Sequence, residues 1–122
     1  MVIKYNFKDK KLLGITLFPF ILIAKWLYDK PINEMSLNVI INHESIHIKQ
    51  QKEMLVIPFY IWYCFEYLIR YLQYKNWYKA YQNISFEREA YKHERDLNYL
   101  QNRKLFSWFK YLWFKNYNKW HF

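Results

Sequence analysis

The segment His43-Glu44-Ser45-Ile46-His47 carries the residue types and spacing in this chain that can do chemistry. Residues four apart in an α-helix lie one turn apart on the same side, so the two imidazoles can address a single ion. Glu44 stands beside them, where a carboxylate can take a proton from a water held by that ion. Helical phasing places Leu37, Ile40, Ile41, Glu44, His47, Ile48, Gln51, Met54 and Leu55 in a stripe of about 140°, with His43 at its edge. Asn38, Asn42, Ser45, Lys49, Lys52 and Glu53 fall opposite. A helix without a site rarely turns two histidines and a glutamate toward its apolar face, because an unpartnered buried carboxylate costs several kcal/mol.

Two imidazoles are too few for a tetrahedral catalytic zinc, which has three protein ligands and one water. The third ligand is expected in Ser85-Phe86-Glu87-Arg88-Glu89-Ala90-Tyr91. On a helix there, Glu87, Ala90, Tyr91 and Glu94 share one side next to a Phe86–Leu97 stripe, and the small Ala90 admits a close neighbour. Glu89 flanks the other side of that stripe, so spacing alone leaves several carboxylates open.

The pairing of His43-Glu44-x-x-His47 with a later Glu87-x-x-Ala90 resembles the gluzincin class of zinc metallopeptidases. In that class the first glutamate of a Glu-x-x-Ala/Ser-Asp segment on a second helix is the third ligand. The extension His43-Glu44-x-x-His47-x-x-Gln50-Gln51 is also similar to small bacterial peptidase-like domains. The resemblance covers residues 37 to 100. It implies a Zn2+ cofactor held by His43, His47 and Glu87, and a peptide or protein substrate. It further implies hydrolysis by a zinc-activated water with Glu44 as general base rather than ligand. Where the class has an aspartate that orients a ligand histidine, this chain has Tyr91, whose phenol is a weaker orienter. Glu94, one turn further on, is the carboxylate that could stand in.

Positioning these residues requires helices. At 122 residues the chain fits one domain, 1–122, mainly α and minimally zincin-like. One glycine, Gly14, and three prolines leave few breakers. An edge strand or short hairpin is expected over Ile15 to Ala24 and a loop over Tyr28 to Glu34. A helix capped by Ser36 then runs to about Leu55, and a second starts at Pro58 and runs to Tyr74. A polar, aromatic link is expected over Lys75 to Asn83, a third helix over Ser85 to Arg103, and a basic aromatic helix over Leu105 to Trp120.

The single cysteine, Cys64, lies in an apolar run and is expected to be a buried small hydrophobe. It implies no oxidising compartment, and the expectation is a cytoplasmic location with peripheral membrane contact. The apolar runs Leu12 to Ala24 and Met54 to Phe65 are short of the roughly 20 residues a spanning helix needs. The charge of +9 draws the chain toward polyanions. Without a glycine-rich phosphate loop or a recognised nucleic-acid module, nucleic acid is a poor fit. His93 is expected to face solvent or be hydrogen-bonded, and His121 to lie in a disordered end. The alternative to an enzyme is a non-enzymatic zinc-binding module at a membrane surface or protein interface, favoured by the Trp- and Lys-rich tail.

Overall fold

The computed structural model describes residues 2–8, 13–29 and 34–113. Its chain order is β1 (Val2–Tyr5), β2 (Gly14–Leu17), β3 (Phe20–Ala24), α1 (Trp26–Asp29), α2 (Glu34–Glu53), α3 (Ile57–Tyr74), α4 (Trp77–Gln82), α5 (Ser85–His93) and α6 (Tyr99–Asn102), followed by a 3-10 turn at Phe109–Leu112. The architecture is mainly helical with one small sheet of order β1-β3-β2. β2 and β3 form the expected hairpin, antiparallel with Thr16 opposite Ile21. β1 adds to the far side of β3 in parallel, with Ile3 opposite Leu22.

The sheet packs on α2 because both offer aliphatic side chains. Ile21, Ile23, Ala24 and Leu27 are buried against Leu37, Ile40, Ile41 and Ile48. Gly14 permits this closeness: a Cβ there would lie 3.1 Å from Ile23 Cδ1, 3.3 Å from the Leu22 carbonyl and 3.5 Å from Glu44 Cγ. A second cluster of Phe59, Ile84, Phe86 and Trp108 ties α3 to α5 and to the C-terminal segment. The Phe86 ring lies 4.4 Å from that of Phe59 and 4.6 Å from that of Trp108.

Several expected elements differ. α2 starts at Glu34, so Ser36 sits inside the helix rather than capping it. Part of the expected loop is the short helix α1, and residues 30–33 lie outside the described residues. The expected link after Lys75 contains α4, because the Asn76 side chain accepts from the Lys79 amide at 2.9 Å and caps it. The third helix stops at His93, ten residues early. The cause is long-range: the Asn42 amide donates to the carbonyls of His93, Glu94 and Asp96 at 3.3, 2.8 and 3.0 Å, holding them in a turn. Asn42 is therefore buried, although its phase set it opposite the apolar stripe. Cys64 is exposed, because α3 packs through other positions. Over the described part of the expected tail helix, residues 105–113, the regular structure is the 3-10 turn, and residues 114–122, including His121, lie outside the described residues.

The junction of α2 and α3 is tight. Leu55 and Val56 both take positive φ, 62° each, and the Ile57 amide donates to the Leu55 carbonyl at 2.7 Å. A side chain in this region meets its own carbonyl, at about 1–2 kcal/mol. Leu55 is 78% exposed and so recovers little by burial. Leu55→Gly is expected to stabilise the chain by about 1 kcal/mol, read as a rise in Tm. A lower Tm would show that the turn is not strained.

Candidate metal centre

α2 brings His43 and His47 to its face against α5, and α5 brings Glu87 to meet them in its first turn. Glu87 Oε1 lies 3.1 Å from His43 Nε2 and 3.1 Å from His47 Nε2. All three side chains are buried, and they form a cluster that could hold a metal ion. Two imidazole nitrogens and a carboxylate oxygen converging in a buried site is the donor chemistry of zinc and its neighbours.

The other ring nitrogens both act as donors. His43 Nδ1 lies 2.8 Å from Glu94 Oε1, and a carboxylate can only accept, so Nδ1 carries the proton. His47 Nδ1 lies 2.7 Å from Gln50 Oε1. The Gln50 amide nitrogen donates to the Phe86 carbonyl and to Glu89 Oε1, both at 3.0 Å, which fixes its oxygen toward His47. His47 Nδ1 is therefore also a donor. Both Nε2 atoms are left to face Glu87, the arrangement in which outer partners orient imidazole ligands.

Sequence spacing pointed to Glu94, and the structure sets it on His43. Tyr91 instead packs its ring edge-on to the His43 ring at 4.6 Å and donates its hydroxyl to that of Tyr81. Glu89 does not join the cluster; it is fully buried and paired with Arg103, which also holds Glu53. His93 accepts or donates to the Tyr111 hydroxyl at 3.0 Å and stacks on Tyr99.

Glu44 is buried one residue from His43, and Thr16 of β2 donates to its Oε1 at 2.6 Å. Its charge bears on both histidines. Thr16 lies 28 residues away and has no local signal. Tyr63 of α3, also missed by sequence reasoning, donates to Glu87 Oε2 at 2.6 Å. Gln50 was visible as the residue three beyond His47, a helical neighbour, though only as part of a motif.

α5 itself is placed by another buried carboxylate. Glu66 of α3 accepts from the Ser85 amide and hydroxyl, each at 2.6 Å, and from Trp62 at 3.2 Å. Arg70 pairs with it at 3.1 Å. An anion at a helix N-terminus satisfies amides that have no intrahelical partner. The start of α5 is thereby pinned two residues before Glu87.

The electrostatics of the metal-free cluster follow. Burial acts to lower the pKa of His43, but hydrogen bonds to Glu87 and Glu94 outweigh it and raise it to about 10. His47 is likewise raised: burial opposes, and the charge of Glu87 prevails. Burial would push Glu87 up, but the two imidazoles hold it well below the usual carboxylate range. Tyr63 is pushed well up, by burial and by Glu87, and stays a neutral donor.

No protein-family model, curated protein or solved structure matches the chain. The centre is therefore read from its own geometry.

Two outcomes are expected. Glu87→Gln should weaken zinc binding far more than Glu89→Gln, measured by competition with a chelating dye, because Glu87 alone of the two reaches both Nε2 atoms. Equal losses would remove Glu87 from the ligand set. Second, metal uptake must displace the Nε2 protons that Glu87 holds in place. At pH 7 zinc binding should release more than one proton per ion and weaken as pH falls, as calorimetry in buffers of different ionisation enthalpy would read. Release of none would mean that the imidazoles are neutral beforehand.

Proposed function

We propose that the chain is a zinc-dependent peptidase of minimal zincin-like, gluzincin type. The observation that carries this reading is the convergence of His43 Nε2, His47 Nε2 and Glu87 Oε1, with both Nδ1 protons committed elsewhere. Among the described residues this set has three members. Three protein ligands leave a coordination position open, as in catalytic rather than structural zinc sites. When bound, zinc would supply Lewis acidity and lower the pKa of a coordinated water toward about 7.

The protein's own residues then divide the work. Glu94 and Gln50 fix the imidazole planes. Thr16 holds one oxygen of Glu44, leaving the other to accept a proton and return it to a leaving amine. Glu44 is thus a base and not a ligand. β2 supports a peptide substrate: it lies at an edge of the sheet and touches Glu44, and a sheet edge is where an extended chain adds. Tyr63 and Tyr91 keep their protons, since burial and the charge of Glu87 raise both.

A structural centre in a non-enzymatic module is the second reading. The burial of His43, Glu44, His47 and Glu87 favours it, each being at most 8% exposed.

Glu44→Gln separates the two. The amide keeps the shape and the bond from Thr16 but cannot take a proton, so zinc content should remain and cleavage of a mixed peptide library should fall at least about a hundredfold. Products would be read by mass spectrometry against a chelated control. Wild-type cleavage by Glu44→Gln would refute the base. Absence of metal-dependent cleavage by the native chain would leave the structural centre.

A further inference from the structure

α3 is built with its charges inside and its hydrophobes outside. Its two charged residues, Glu66 and Arg70, are buried and paired with each other. Its outer side presents Ile57, Ile61, Phe65, Leu68 and Leu72, which are 69%, 66%, 57%, 61% and 74% exposed. Their spacing of four, four, three and four residues places them in one stripe, about 22 Å long at the rise of an α-helix. A row of large exposed hydrophobes without an interrupting charge marks a surface that something covers.

We propose that this face of α3 docks on the surface of an anionic bilayer, with the stripe in the acyl boundary. Three observations select that occupant. Exposed lysines flank the stripe along the chain, Lys52 at the end of α2 before it and Lys75 just after α3, and ammonium groups on apolar stems can reach lipid phosphates. Tyr71 and Trp77, 44% and 62% exposed, supply aromatic rings of the kind that settle at headgroup depth. The net charge of +9 attracts an acidic lipid surface and opposes face-to-face pairing with a second copy.

No helix of the described residues is long and apolar enough to cross a membrane, so α3 would lie in the surface plane. Beside the stripe, Tyr63, Cys64, Tyr67, Leu68, Trp77 and Tyr81 line a wholly apolar groove of about 490 Å³ between α3 and α4, which offers room for the end of an acyl chain. Tyr63 lines this groove and also holds Glu87 with its hydroxyl, so docking would bring the metal centre close to the bilayer. The docking itself does not depend on the metal or on catalysis.

The test uses the full chain and vesicles of about three parts phosphatidylcholine to one part phosphatidylglycerol. Cys64, the single cysteine and exposed on α3, carries a nitrobenzoxadiazole label that reports an apolar environment. The protein should float with these vesicles, with a blue shift at Cys64, equally with and without chelator. Binding to pure phosphatidylcholine should be at least about tenfold weaker, as should binding of Lys52→Glu/Lys75→Glu to the anionic vesicles. Ile61→Ser/Leu72→Ser should lower partition at least about tenfold while its melting transition is retained, since both side chains already face outward. Three results would overturn the proposal: no flotation of the native chain, flotation of the stripe variant at the native level, or lipid-free dimerisation in sedimentation that the stripe variant abolishes. The last would assign the face to a second copy.

Discussion

A carboxylate buried between two imidazoles sets the terms for this molecule. Glu87 is 3% exposed, and without partners its charge would cost several kcal/mol. His43, His47 and Tyr63 remove that cost from three directions, and a metal ion would do the same for the imidazoles. The two histidines come from α2 and the tyrosine from α3, so satisfying one carboxylate of α5 fixes α2, α3 and α5 against each other. The packing of Phe59, Phe86 and Trp108 supplies the apolar contact on which that arrangement rests.

The polar network extends outward in shells, and each shell has a partner. Gln50 links His47 to Glu89, Arg103 joins Glu89 to Glu53, and Glu66 with Arg70 anchors the start of α5. A buried network is worth having only when every member is satisfied, since a half-paired one is worse than an apolar core. Committing so many polar side chains to the interior has a counterpart outside. α3 turns Glu66 and Arg70 inward and leaves aliphatic and aromatic side chains on its outer face, which is how a small protein with a polar interior comes to have an apolar flank.

The short-range features of the centre were legible in the sequence because helical geometry is local. The i, i+4 spacing puts His43 and His47 on one face whatever surrounds them, and the same rule makes Gln50 a neighbour of His47. A helix beginning near Ser85 with Glu87 in its first turn, and a hairpin over 15–24, also follow from local residue types. Asn76 is likewise a local cap signal, and it starts α4.

Tertiary structure decided the rest, because those features depend on groups far apart in the chain. Asn42 stops α5 at His93 from 51 residues away, overriding a run with neither glycine nor proline to break it. Thr16 reaches Glu44 across 28 residues, and Glu66 caps α5 across 19. Which of three nearby carboxylates meets both imidazoles, and which orients one of them, was settled only when α2 and α5 packed: Glu87 and Glu94 face α2, while Glu89 turns to Arg103. The exposure of Cys64 has the same origin. Helical periodicity gives α3 two candidate faces, and the need to bury Glu66 at the α5 terminus chose which one turned inward.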